Sequence, residues 1–216
     1  MTNTNRLSQQ EFEKSVADHQ MTVLRDDGVN RHLRFSKPGT SVQGFDLITW
    51  PGHLCYTGDM GAYVFERLED MFEFFRCSNT GGDVPLGYWA EKCVSADRDG
   101  IKRYSPDRLR EVLYDLVEGY ISDEDLDEDD AESLRNAVKS EILSRGETEL
   151  WARNAADGFV HDEFRLSDFW EYDLSEFTYR FRWCCLAMAW GIQRYDLAKR
   201  DEDGVNDAKQ ARRAGP

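Results

Sequence analysis

The stretch MTVLRDDGVNRHLRFSKPGTSVQGFDLITWPGHLCYT, residues 21–57, decides the fold. Short apolar runs alternate there with strong turn signals. Met21–Arg25 ends at Asp26-Asp27-Gly28, a hairpin-type turn. His32–Ser36 sets His32, Arg34 and Ser36 against Leu33 and Phe35, the period of two that a half-buried strand requires. Lys37-Pro38-Gly39 turns the chain again, with Pro fixing φ and Gly accepting a positive value. Phe45–Trp50 reads as a third strand, Pro51-Gly52 as a third turn and His53–Thr57 as a fourth strand. Connections this short join antiparallel neighbours, so the segment predicts a meander of three to four strands with one face open to a helical layer.

Around this core the periodicity is helical. Residues 8–20 form a weakly amphipathic helix. From Ala62, the spacing of Phe65, Leu68, Phe72 and Phe75 predicts a long helix, with Asp59 placed to cap it and Ser78–Gly82 to end it. Leu86–Val94 is read as a second short helix. Ser105-Pro106-Asp107 starts another, with Pro at the first helical position, and Leu109, Val112, Leu113, Leu116, Val117 and Tyr120 give it one apolar stripe. Helices over 129–144 and 147–156 follow. Residues 175–197 are apolar nearly all round, as expected of a helix buried in a core. No Gly/Ser/Pro linker or internal repeat is evident. The expectation is one α+β domain over 1–200, an antiparallel meander followed by a helical layer with a buried C-terminal helix, and a disordered tail over 201–216.

Composition narrows the function. With 216 residues and 12% aromatics, the chain can bury a sizeable core without disulfides. Forty-two acidic against 27 basic residues give a net charge of −15. A field of that sign repels nucleic-acid phosphates and anionic membranes. The expected partner is therefore a protein with a basic surface, with neither direct nucleic-acid nor membrane binding. The five scattered cysteines fit reduced thiols in a reducing compartment. No apolar leader or stretch of roughly 20 apolar residues occurs, so a cytoplasmic location is expected.

The most unusual segment holds eight carboxylates and no base: Asp123, Glu124, Asp125, Asp127, Glu128, Asp129, Asp130 and Glu132. From Glu118 to Leu150 there are twelve acidic and three basic residues, about nine of the fifteen net charges. One reading is a solvated loop leading into a helix whose N-terminal dipole favours acids. The other is an electrostatic surface that competes with nucleic acid for a basic groove on a partner. A calcium loop is excluded by register, because loops starting at Asp123 or Asp125 lack the glycine at position six and the Glu at position twelve.

Other chemistry is weaker. His53 and Cys55 share a strand face, with Asp59 as a conceivable orienter. Residues two apart on a strand lie roughly 6.5–7 Å from one another, beyond hydrogen-bond reach. A zinc site from His53, Cys55, Cys77 and Cys93 lacks a paired Cys-x-x-Cys spacing. Gly58-Asp59-Met60-Gly61 lacks both the dinucleotide and P-loop fingerprints, so no cofactor is expected. The tail cations Lys209, Arg212 and Arg213 are offset by nearby acids. Trp151, Phe159, Phe164, Phe169, Trp170 and Tyr172 crowd a polar stretch that serves either as loop packing or as a protein-binding patch.

The run Trp50-Pro51-Gly52-His53-Leu54-Cys55-Tyr56-Thr57-Gly58-Asp59-Met60-Gly61, with Met71–Phe75, Phe181–Cys185 and Trp190-Gly191-Ile192, resembles a family of small orphan proteins encoded by bacteriophages, prophages and plasmids. The resemblance implies a mobile-element context and brings no established activity, fold or site. Small acidic proteins in that setting often inhibit host nucleases or defence complexes, so a non-enzymatic, anti-CRISPR-like or DNA-mimicking inhibitor is expected. The alternative is a small enzyme with a cleft around His53, Cys55 and Asp59.

Overall fold

The computed structural model describes residues 7–76 and 84–213, with side chains as far as Glu202. It is an α+β protein with a six-stranded antiparallel sheet at the N-terminal end, a helical region and a partly buried C-terminal helix. The expectation of one domain over 1–200 rests on the missing linker. The chain divides into two compact units, 102–176 and the remainder. No linker is needed, because the helical unit enters and leaves through β7 (Lys102–Tyr104) and β10 (Ser175–Phe177), which pair with each other.

The sheet unit begins with α1 (Gln9–Val16), closed at its N-terminus by a reciprocal Ser8–Glu11 capping box. The strands run in chain order as β1 (Gln20–Asp27), β2 (Asn30–Ser36), β3 (Phe45–Trp50), β4 (His53–Gly58), β5 (Gly61–Glu66) and β6 (Cys93–Ala96). The register pairs Leu33 with Leu47, Leu47 with Tyr56, and Tyr56 with Tyr63. Alternation therefore places one apolar residue from each strand on the same face. That face is buried with α7 (Tyr179–Arg213), whose Phe181, Trp183, Cys184, Cys185 and Met188 are fully inside. Gly191 fits this packing closely: a Cβ there would lie 3.0 Å from Leu47 and 3.1 Å from Phe35.

Four expectations are corrected. The helix predicted from Ala62 is a strand, β5, as far as Glu66; only Met71–Arg76 (α2) is helical. Tyr63 and Phe65 face the core while Val64 lies on the opposite face, so an apolar residue on each side disguised the period of two. Asp59 caps nothing. It sits in the tight β4–β5 turn, where its carboxylate accepts from the Gln43 amide at 2.9 Å. Glycine is required beside it, since a Cβ on Gly58 would lie 2.3 Å from the Gly44 carbonyl. The predicted helix over 86–94 stops at Glu91 (α3, Leu86–Glu91) and gives way to β6. The tail expected to be disordered continues α7 to Arg213. Cys77 and the Ser78–Gly82 helix end lie outside the described residues.

Ion pairs hold this unit together at its edges. Arg31, 8% exposed, donates to both oxygens of Asp70 at 2.8 and 2.9 Å, and Asp70 also accepts from the Phe72 amide that opens α2. Arg76 grips Asp196 in the same two-pronged way, and Asp46 accepts from Arg34 and His32. Burial pushes the Asp70 carboxyl up, but the Arg31 and Phe72 hydrogen bonds outweigh it and hold the pKa below the usual carboxylate range.

The helical unit contains α4 (Pro106–Asp123), α5 (Glu128–Glu141), a 3₁₀ turn at Leu143–Arg145 and α6 (Glu149–Asp157). A small hairpin of β8 (Val160–His161) and β9 (Phe164–Arg165) and a 3₁₀ turn at Phe169–Glu171 complete it. Ser105 caps α4 and Thr148 caps α6. The unit has its own core, in which Leu109, Leu113 and Val117 meet Leu134, Val138 and Ile142.

Candidate functional site

The two units differ in charge. Residues 102–176 hold 22 acidic and nine basic side chains, net −13; the rest of the chain holds 20 and 18, net −2. Almost the whole field of the molecule originates in the helical unit.

Its densest point is the turn between α4 and α5. Asp125 takes a left-handed conformation at φ +49°, which Asp tolerates better than most residues. The Leu126 amide reaches back to the Ile121 carbonyl at 3.2 Å and closes the turn. Asp127 is the N-cap of α5, its carboxylate accepting from the Asp130 amide at 3.0 Å. Below the turn, Arg135 spans the two helices, gripping Glu118 at 2.8 and 2.9 Å and touching Glu128 at 3.3 Å. The Glu118 and Glu128 carboxylates push the Arg135 pKa up, and Arg135 pulls that of Glu118 down.

The structure places all eight sequence-predicted acids between the last residue of α4 and the second turn of α5, every one exposed. Two of them have structural duties, Asp127 as cap and Glu128 as partner of Arg135. The side chains of Asp123, Glu124, Asp125, Asp129, Asp130 and Glu132 form no ion pair among the described residues. The helix-entrance reading holds at Asp127 through Asp130, the N-cap and acidic first turn of α5, and the six acids outside the two structural duties form an exposed surface.

The aromatic stretch also divides. Phe159, Phe164 and Phe169 are core, whereas Trp151 and Trp170 are 62% and 68% exposed. Arg153 orders the loop by donating to the carbonyls of Phe169, Trp170 and Tyr172 at 3.0–3.2 Å while pairing with Glu149. Glu149 four residues earlier is the one local mark of Arg153; its backbone acceptors lie 16 to 19 positions away and leave none.

His53, Cys55 and Asp59 are each committed elsewhere. The His53 ring contacts the Pro51 carbonyl at 3.1 Å, lies 3.7 Å from Glu66 and stacks on Trp50. Burial raises the Cys55 thiol pKa, opposite to the direction a nucleophile needs. The Asp59 carboxylate serves Gln43. Burial likewise raises Cys93, to about 11. Among the described residues, no group of three or more His, Cys, Asp or Glu side chains is placed to hold a metal ion. No described helix is long and apolar enough to cross a membrane.

A concave feature runs between α4 and α5 on the side of Arg110, Tyr114 and Glu118, with a volume of about 670 Å³. The sequence signal for it is the i, i+4, i+8 spacing of those three residues, a polar stripe beside the apolar one on α4. Searches against protein-family models, curated proteins and solved structures found no match to this chain.

Proposed function

We infer that the protein is a non-enzymatic, acidic binding protein from a phage or other mobile element, acting on a host nucleic-acid-handling or defence protein. The acidic α4–α5 turn docks on a basic groove of that partner and competes with nucleic acid for it. One observation carries this reading: six exposed carboxylates with no ion pair among the described residues are presented by a capped helical hairpin within a unit of net charge −13. Duplex DNA carries one charge per roughly 1.7 Å of axis. Eight of the ten residues 123–132 are acidic, a density of carboxylates that can stand in for the phosphates a nucleic-acid groove is built to accept.

A rigid display matters as much as the charge. Asp127 and the Arg135 bridge fix the hairpin before binding, which reduces the ordering cost of association. The alternative, a small enzyme around His53, Cys55 and Asp59, draws no support from the contacts of those three side chains.

The test is affinity capture from a bacterial lysate on the immobilised full chain, with mass spectrometry of what is retained. The expected result is a nucleic-acid-handling protein held at about 0.1 M salt, shed near 1 M as the screening length falls from about 10 to 3 Å, and displaced by duplex DNA. Captured proteins that ignore both salt and DNA would contradict the reading.

A further inference from the structure

The groove between α4 and α5 is a separate feature from the acidic turn. Its α4 wall carries Arg110, Tyr114 and Glu118, and its α5 wall carries Arg135 and Lys139. The floor is apolar, formed by Leu113, Val117, Val138 and Leu143. The helices run antiparallel, and Glu118 bound to Arg135 closes the groove at the end nearest the turn. From Glu118 to Arg110 the wall extends eight residues, about 12 Å.

The charge of the lining is the reverse of its surroundings. In a unit of 22 acids and nine bases, these walls hold three cations and one carboxylate. Arg135 is consumed by Glu118 and Glu128. Arg110 gives one nitrogen to Asp107 in the preceding turn, which leaves most of its donors unused. Lys139 forms no ion pair among the described residues. Tyr114, 64% exposed, stands on the α4 wall one turn from Arg110. The open end thus joins an apolar floor and an aromatic ring to two cations. The volume falls in the range of small-molecule sites, roughly 300–1,000 Å³, which are mostly apolar with a few placed polar groups.

The geometry points to a binding site for a small amphiphilic anion, its aliphatic or aromatic body on Leu113, Val117 and Leu143 and its carboxylate or similar head group at Arg110 and Lys139. This inference does not depend on the reading of the acidic turn, which lies beyond the Glu118–Arg135 bridge. The sign of the ligand is its sharpest feature. A molecule of net charge −15 attracts cationic amphiphiles non-specifically, so a preference for the anion must come from the groove.

The test is calorimetric titration of the full chain with decanoate, decanol and decyltrimethylammonium below their micellar concentrations, with 2-naphthoate added to read whether the body is aliphatic or aromatic. Decanoate or 2-naphthoate should bind at one saturable site, about tenfold or more tighter than the cationic amphiphile. Arg110→Gln with Lys139→Gln should weaken the anion about tenfold, leave decanol within about twofold and leave the melting temperature unchanged. Tyr114→Ala, a second exposed change, should weaken anion and decanol alike. Equal binding of the cationic amphiphile, no binding of either anion, or full anion affinity in the Arg110→Gln/Lys139→Gln variant would overturn the proposal.

Discussion

The sheet unit and the helical unit use carboxylates in different ways. In the sheet unit acids and bases nearly balance, and its less exposed acids face guanidinium groups: Asp70 on Arg31, Asp46 on Arg34 and Asp196 on Arg76. In the helical unit acids outnumber bases 22 to nine, so most have no cation to meet. Charge in the first is part of the packing. In the second it is largely a surface property, carried by a hairpin whose turn is held by Asp127, Glu118 and Glu128. The lesson is that a charge run has to be divided residue by residue before it is read as function.

The largest expected effect lies in the sheet unit. Asp70→Ala strips a nearly buried guanidinium of its partner and removes the hydrogen bond to the first turn of α2. A loss of about 3 kcal/mol is expected in denaturant unfolding. Because the folded-state pKa of Asp70 is lowered, its contribution is complete above the ordinary carboxylate pKa and disappears as pH falls through the depressed value. Acid titration of the wild type should therefore weaken the sheet unit below about pH 4, and Asp70→Ala should flatten that dependence.

Next in size is Asp127→Ala, which removes the cap of α5 and should cost the helical unit about 1 kcal/mol. Hydrogen exchange should rise in the first turn of α5 and stay unchanged in β2–β5. Smaller still is the response to salt. Raising NaCl from about 0.1 to 1 M screens self-repulsion, so the helical unit should gain a few tenths of a kcal/mol, up to about 1. The near-neutral sheet unit should not follow it. The smallest effect is expected for Asp123→Asn, Glu124→Gln, Asp129→Asn and Glu132→Gln combined. These side chains form no ion pair among the described residues, so unfolding should shift by no more than about 0.5 kcal/mol. A large loss there would return the whole acidic segment to a structural role.

Much of the fold was legible where period and punctuation agreed. β3 is Phe45–Trp50 as its alternation predicted, and Ser105-Pro106 marks the start of α4. The reading failed where an apolar residue occupies both faces of a strand. In β5, Val64 joins Ile48 and Cys55 in a row across the face opposite the core, and with Tyr63 and Phe65 it imitated a helical run. The division into two units was hidden because the insertion enters and leaves through paired strands rather than a Gly/Ser linker. In α7, Lys199 pairs with Glu202 one turn on and with Asp26 of β1, so the helix passes the point where its apolar pattern ends. The acidic turn was visible because its residues are contiguous. Of the groove only the α4 wall, Arg110, Tyr114 and Glu118, left a sequence signal; Lys139 joins that wall only once two helices fold back on each other.

The central claim is that the position of the turn carboxylates, and not net charge alone, carries binding. It is tested most directly by titrating the captured partner against two variants of equal charge. The first is the turn variant Asp123→Asn/Glu124→Gln/Asp129→Asn/Glu132→Gln. The second neutralises four exposed acids of the sheet unit, Glu13→Gln/Asp27→Asn/Glu69→Gln/Glu91→Gln. The account predicts an affinity loss of about tenfold or more for the first and a change within about twofold for the second. Equal losses in both, or undiminished affinity in the turn variant, would contradict it.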